Sequence, residues 1–232
     1  MTKRPIRSRR SASPTNVEAE ESVKLLSAEF VTSIAEGSTV RTEGLPALAL
    51  VGRSNVGKSS LINALVKRRL ARSGSKPGTT RLLNLYRVAT APPRRRTFML
   101  IDLPGYGYAR GGAKARQEFD TLTAGFFRHA LTPRADTAAS DAVILAGVML
   151  IMDARHPGLE SDVAAYRWAE TLTCPSIVVT TKADRMSKTE LLRTTRAHGD
   201  VLGREVLSVS TKTGQGLGPV WTEIWKMLRG LL

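Results

Sequence analysis

Gly52-Arg53-Ser54-Asn55-Val56-Gly57-Lys58-Ser59 decides how the rest of the chain is read. The spacing is G-x-x-x-x-G-K-S. Glycines at the two ends let the backbone wrap a phosphate chain with its N–H groups turned inward. Lys58 can reach the outer phosphates, and the Ser59 hydroxyl can ligate Mg²⁺. Leu48–Val51, just upstream, is a short apolar run that reads as a buried strand. Ser60–Val66, just downstream, continues as a helix whose N-terminus would face the phosphates and favour their charge. Strand, glycine-rich loop and helix in that order make a chance turn a poor explanation.

Working outward, strands and helices alternate from Leu48 onward. Strands are predicted near 48–51, 82–89, 96–101, 147–152, 176–180 and 205–208. Helices are predicted near 57–68, 115–130, 159–172, 187–198 and 216–229. The pattern implies an α/β fold of the Ras-like P-loop NTPase type, a mostly parallel six-stranded sheet with helices on both faces. Such sheets bind ligands at the carboxyl ends of their strands. Val23, Leu26, Phe30 and Ile34 stand near helical spacing, so 22–35 is read as a short amphipathic helix. Residues 1–21 read as a disordered basic tail and 22–232 as the folded domain. Pro92–Arg96 reads as an exposed hairpin loop and 132–141 as a flexible surface loop.

The 232 residues carry 35 basic against 20 acidic side chains, a formal net charge of +15. That excess points to a polyanionic partner, most simply RNA or DNA. No basic amphipathic helix stands out for a membrane surface, and no apolar run reaches spanning length. Cys174 is the only cysteine, which excludes an intrachain disulfide and a cysteine-based zinc site and suits a reducing compartment. It precedes Pro175 at the start of a buried-looking strand, as an inert core thiol would. The basic opening lacks a following apolar stretch, so no signal peptide is expected. Residues 1–16, rich in Arg and Ser without acids, suit either a transit segment or an RNA-touching tail of a cytosolic protein, and the second is preferred.

Four further segments follow in the order a guanine-nucleotide enzyme needs. In Lys76-Pro77-Gly78-Thr79-Thr80-Arg81-Leu82 a loop threonine can offer a hydroxyl to Mg²⁺ and the γ-phosphate. Asp102-Leu103-Pro104-Gly105 ends the run Phe98–Ile101. Its carboxylate can hold the Mg²⁺ shell, and Gly105 can bring a backbone N–H to the γ-phosphate. Thr181-Lys182-Ala183-Asp184 is a variant of [NT]-K-x-D. The Asp184 carboxylate can accept from the guanine N1–H and its exocyclic amine. Adenine offers an acceptor at N1 and no amine at C2. Val209-Ser210-Thr211 forms a short loop able to present N–H groups to guanine O6.

Together these segments resemble a Ras-like GTPase of the TRAFAC class. More narrowly, Gly52–Asn63, Lys76-Pro77-Gly78, Asp102-Leu103-Pro104-Gly105-Tyr106-Gly107-Tyr108-Ala109 and Asp153-Ala154-Arg155-His156 closely resemble the EngB (YihA/YsxC) family of bacterial GTPases. The resemblance covers about residues 25–229. It implies GTP hydrolysis, binding of GTP and GDP with Mg²⁺, a cytoplasmic role in late assembly of the large ribosomal subunit, and a link to cell division and septation. By position, Ser59 and Thr80 would be the Mg²⁺ ligands, and Lys58, Thr80 and Gly105 the groups acting in catalysis. The partners implied are the guanine nucleotide and a large-subunit precursor with its RNA, with no membrane and a monomeric protein. Thr79, the 92–96 and 132–141 loops and the basic tail depart from the family pattern.

Phosphoryl transfer is mostly positioning and charge neutralisation. Ras-like enzymes place a water-orienting Gln where this chain has Tyr106, so slow intrinsic hydrolysis is expected. Asn55 can be read as a K⁺ ligand or as a turn-stabilising residue. Trp168, Trp221 and Trp225 fall on helical segments and serve packing, the last two on one face. Two rival functions stand beside the GTPase: a nucleotide-gated RNA- or ribosome-binding module with incidental hydrolysis, and a P-loop ATPase, against which Thr181–Asp184 argues.

Overall fold

The computed structural model describes residues 23–35, 40–71, 82–106, 123–127 and 143–230. The strands are β1 (Leu25–Ile34), β2 (Pro46–Gly52), β3 (Leu83–Thr90), β4 (Thr97–Asp102), β5 (Ile144–Asp153), β6 (Ser176–Thr181) and β7 (Leu207–Ser208). The helices are α1 (Lys58–Leu65), α2 (Glu160–Glu170), α3 (Lys188–Leu202) and α4 (Leu217–Arg229). A further helical stretch covers 123–127, inside the helix expected over 115–130. The strand order is β1-β3-β4-β2-β5-β6-β7. From β4 to β7 all neighbours are parallel, while β1–β3 and β3–β4 are antiparallel.

The sheet has seven strands, not six, and the seventh corrects the reading of 22–35. Leu25–Ile34 is an edge strand paired with β3 from Leu25↔Thr90 to Ile34↔Leu83. The helical spacing would have buried Leu26 and Phe30, yet they are 55% and 49% exposed, whereas Ala28 and Ile34 are buried. Register shifts at Leu25/Ser27 and Phe30/Thr32 break the two-residue alternation and leave a pattern that mimics a helix. Val31, Thr32 and Ile34 are β-branched, and the otherwise open edge of β3 supplies the hydrogen bonds that decide the matter.

β2 shows why the sheet is covered on both sides. Ala47 to Val51 are all essentially buried, and they alternate between two apolar clusters. Leu48 and Leu50 pack with α1 and α4 through Leu61, Leu65, Trp221 and Ile224. Ala47, Ala49 and Val51 pack with α2, α3 and the 123–127 helical stretch through Tyr166, Leu202 and Phe126. A continuous apolar run is the signature of a strand buried on both faces. Trp221 meets Phe98 edge-on at 6.2 Å and stacks on Trp225 at 5.4 Å, the shared face expected of that helix. Cys174 is half-buried against the second cluster, and burial raises its thiol pKa. The parallel strands all deliver their carboxyl ends to one pole of the molecule, where the quoted segments lie.

Candidate functional site

The phosphate loop leaves β2 at Gly52 and re-enters regular structure at Lys58, the first residue of α1. The turn needs left-handed backbone at Asn55 (φ 62) and Gly57 (φ 113). Gly57 also lies close to Thr181, whose Oγ1 would be 3.3 Å from an added Cβ. The Lys58 ammonium donates to the carbonyls of Gly52 at 3.0 Å and Arg53 at 3.5 Å. Burial lowers the Lys58 pKa, and the Asp102 carboxylate partly restores it. Ser59 follows half-buried, one residue into α1.

Asp102 ends β4 directly beside Leu50 of β2 and is only 4% exposed. Burial pushes its carboxyl up to about 6, with Lys58 pulling the other way. Its Oδ1 has no hydrogen-bond partner among the described residues. A buried carboxylate oxygen with no partner is a hard oxygen donor of the kind a divalent cation takes, and Ser59 follows Lys58 with a second oxygen at the start of α1, so Asp102 and Ser59 fit Mg²⁺. Leu103 N–H donates to the Leu50 carbonyl and pins the loop that follows. That loop then hooks onto the phosphate loop. Ser54 N–H donates to the Tyr106 carbonyl at 3.0 Å, and Ser54 Oγ to the Gly105 carbonyl at 3.3 Å. A Cβ on Gly105 would lie 2.6 Å from Ser54 Oγ and 2.7 Å from its backbone nitrogen. Gly78, Thr79, Thr80 and Arg81 lie outside the described residues. Leu82 is described and 36% exposed, and two residues on Asn84 stands opposite Asp102. β3 thus starts next to Asp102.

On the other side of the phosphate loop, β6 and β7 bring the two base-side segments together. Ala183 N–H donates to the Val209 carbonyl at 3.1 Å. The fully buried Ser210 accepts from the N–H groups of Lys212 and Thr213 at its Oγ. Its remaining hydroxyl hydrogen goes to Asp184 Oδ1 at 2.9 Å. Thr211 follows half-exposed. Thr181, where Asn is commoner, has a definite task. Its hydroxyl donates to the Val56 carbonyl at 2.5 Å and ties the base side to the phosphate loop. The Lys182 ammonium donates to the Asn55 carbonyl and to Asp153 Oδ2, both at 2.8 Å. Asp153 also takes two bonds from the Arg155 guanidinium. Burial would raise its pKa, but the bonds from Arg155 and Lys182 win and hold it well below the usual carboxylate range.

The profile of the 50S ribosome-binding GTPase family matches residues 47–182. The probable GTP-binding protein EngB of Pelotomaculum thermopropionicum is 40% identical over 191 residues, 82% of this chain and 85% of its own. That of Symbiobacterium thermophilum is 37% identical, over 84% of this chain and 92% of its own. The chain belongs to the EngB family of GTP-binding proteins. Among solved structures, a probable GTP-binding protein engB superposes with a TM-score of 0.57 at 17% identity, over 79% of this chain and 99% of that one. Aquifex aeolicus Era bound to GDP·AlF₄⁻ gives 0.62 at 21% identity, over 79% and 57%. These two likenesses show the shared fold. As an EngB-family member the protein binds guanine nucleotide and hydrolyses GTP.

One part of this EngB-family site was not legible in the sequence. Tyr106 is 8% exposed, and its hydroxyl donates to Asp162 Oδ1 at 3.0 Å. Arg53 Nε lies 3.3 Å from the same oxygen. Asp162, in the first turn of α2, is 2% exposed, and its other oxygen has no partner among the described residues. Burial raises its pKa, opposed by Arg53 and by the tyrosine bond. A helix on the sheet's second face therefore grips both the phosphate loop and the loop after Asp102. Tyr106, at the place of the water-orienting Gln, is fixed as an anchor. Tyr106→Phe is expected to lower stability by about 1–2 kcal/mol, the range for one lost bond that leaves a buried acceptor. Urea unfolding of nucleotide-free protein checks it. An unchanged midpoint would mean that the bond contributes nothing.

Proposed function

We propose that the protein is a GTP-driven switch in assembly of the large ribosomal subunit, cytoplasmic and monomeric, and needed for normal cell division. The observation that carries the nucleotide half of this reading is the junction at one pole. There Lys58 is folded onto the Gly52 carbonyl, Asp102 is buried at the end of the neighbouring strand, and Asp184 is oriented by Ser210. The ribosomal half is supported by the name of the matching family, a 50S ribosome-binding GTPase. The net charge of +15 supports it as well.

In this reading Gly52–Ser59 cradles the phosphates, with Lys58 neutralising the outer ones. Asp184 and Lys182 hold the base, and Val209–Thr211 faces guanine O6. Ser59 and Thr80 would ligate Mg²⁺, with Asp102 in its outer shell. The ion supplies charge neutralisation on the β- and γ-oxygens. Gly105 aims its N–H at the γ-phosphate. The Tyr106 bond to Asp162 leaves that side chain unable to orient water as a Gln would, so unaided hydrolysis is slow. A partner, or K⁺ held near Asn55, completes the site.

The deciding experiment is co-sedimentation of the protein with purified large ribosomal subunits in GTP, GDP or no nucleotide. GTP-enhanced association is expected, and hydrolysis should rise in the presence of the particle. Association indifferent to nucleotide would reject the switch. The two metal ligands should also separate by state. Ser59→Ala is expected to lose Mg²⁺-dependent affinity for both nucleotides. Thr80→Ala should keep GDP affinity within about threefold while losing the preference for a non-hydrolysable GTP analogue, because only the γ-phosphate would order its loop. Titrations with and without Mg²⁺ check this. A large loss of GDP affinity in Thr80→Ala would contradict the assignment.

A further inference from the structure

The pole opposite the nucleotide site carries a basic corner that nucleotide chemistry does not use. Helix α1 starts at the phosphate loop and runs toward the amino ends of the strands. Just past its end stand Lys67, Arg68 and Arg69, all exposed. The β3–β4 hairpin turns at the same pole and exposes Arg94, Arg95 and Arg96. Lys24, also exposed, enters β1 there.

Hydrogen bonds hold these three segments together. Lys67 Nζ donates to the Val23 carbonyl, and Ala91 N–H to the Lys24 carbonyl. The hairpin backbone is fixed by buried Thr90, whose Oγ1 donates to the Arg94 carbonyl at 2.7 Å and accepts from Arg96 N–H at 3.0 Å. The turn after α1 is fixed by Asn63, whose carbonyl oxygen accepts from the N–H groups of Leu70 and Ala71. The backbone under the charges is thus preorganised, which reduces the ordering cost of binding.

None of the seven cations forms an ion pair among the described residues. Among the described residues, Glu43, just before β2, and Glu29 of β1 are both taken by Arg87 of β3, while Glu170, Asp200 and Glu205 belong to the ends of α2, α3 and the approach to β7, at the other end of the sheet. Phe30 is half-exposed on the α1 side, its ring edge-on to Tyr86. Val23, whose carbonyl accepts from Lys67, lies on this corner.

We propose that the corner formed by Lys24, Lys67–Arg69 and Arg94–Arg96 is a docking surface for the phosphate backbone of structured RNA. The proposal rests on the ribosomal reading above for its choice of RNA. Five of the seven side chains are arginines, which grip phosphate bidentately. Phe30 offers a face on which an unpaired base can stack. A membrane surface would call for an amphipathic helix with its apolar face outward. This corner is built of a strand start and two turns.

The test uses the full chain and three probes: an RNA hairpin of unrelated sequence, purified large ribosomal subunits, and phosphatidylglycerol vesicles. Binding is measured across a salt series for wild type, a variant with Arg94, Arg95 and Arg96 all changed to Ala, and one with Lys67, Arg68 and Arg69 all changed to Ala. Each triple change should reduce the log–log salt slope by about 2–3 and weaken hairpin binding on the order of 100-fold near ~0.1 M salt. GTP affinity and thermal unfolding should stay as in wild type. The Arg94→Lys, Arg95→Lys, Arg96→Lys triple variant should keep most of the slope, because charge rather than shape carries it. Unchanged slopes in both alanine variants would overturn the proposal, as would wild-type binding to vesicles but not to the hairpin. If wild type binds the hairpin through this corner but not the ribosomal subunit, the surface stands and the ribosomal role falls. If the subunit binds wild type and both alanine variants equally well, the role stands and the surface falls.

Discussion

Asp184→Asn is expected to lose affinity for GTP on the order of 10²- to 10³-fold and to gain affinity for XTP. The orientation of the carboxylate makes the argument. Ser210 Oγ spends its lone pairs on the N–H groups of Lys212 and Thr213, so its hydrogen must go to Asp184. The carboxylate is thereby turned, and its free acceptor sites face outward from an exposed residue. Guanine presents two donors side by side, N1–H and the C2 amine. Asparagine opposes one of them with its own amide hydrogens and gives up the charge. Two charge-assisted bonds at about 1.5–3 kcal/mol each account for the range. Xanthine has an oxygen at C2, which accepts from that amide. Competition of GTP, XTP and ATP against a fluorescent guanine nucleotide measures all three. Equal affinity of the wild type for ATP and GTP would remove the basis of the argument.

Gly105→Ala is the second large effect. The added carbon would sit 2.6 to 2.8 Å from Ser54 Oγ, N and Cα. Two of those atoms are backbone, so no rotamer change relieves the overlap. The loop must lift from the phosphate loop, losing the bonds from Ser54 to the Tyr106 and Gly105 carbonyls. An N–H lifted by even an ångström no longer reaches a γ-phosphate oxygen. Single-turnover GTP hydrolysis is expected to fall on the order of 100-fold, the usual scale for loss of one transition-state donor. GDP affinity should change little, if residues 52–59 wrap the β-phosphate as proposed. Normal hydrolysis by this variant would show that the loop reaches the γ-phosphate through some other group.

What could be read from the sequence was what is local. The phosphate loop, Asp102–Gly105 and Thr181–Asp184 each hold their chemistry within eight residues, and strand–loop–helix context supplies the rest. β1 is not legible because its pairing partners, Leu83 to Thr90, are far along the chain and two register shifts scramble its alternation. Asp162 was missed for a related reason. In the chain it is an ordinary acid in the first turn of a helix, and only the fold carries it to Tyr106 and Arg53. Asp153 stood inside a quoted motif without a role, because its partner Lys182 comes from the next strand. Thr181 is a plain variant of the motif's first position in the sequence, because its bond to Val56 spans 125 residues.

Helix α1 is eight residues long, with Lys58 at one end and the basic corner just past the other. Asp102, opposite Asn84 of β3, faces Lys58 from the neighbouring strand end, so the phosphate loop and the basic corner are joined by one short helix. A ligand at either pole would thus bear on an end of the same helix. Linkage makes such an arrangement symmetrical. If GTP tightens the hold on RNA by some factor, RNA tightens the hold on GTP by the same factor, and an RNA that prefers the GDP form expels GTP equally well. A maturing particle that first presents and then buries its phosphates at this corner would itself set the nucleotide the protein carries, acting as both cargo and exchange factor.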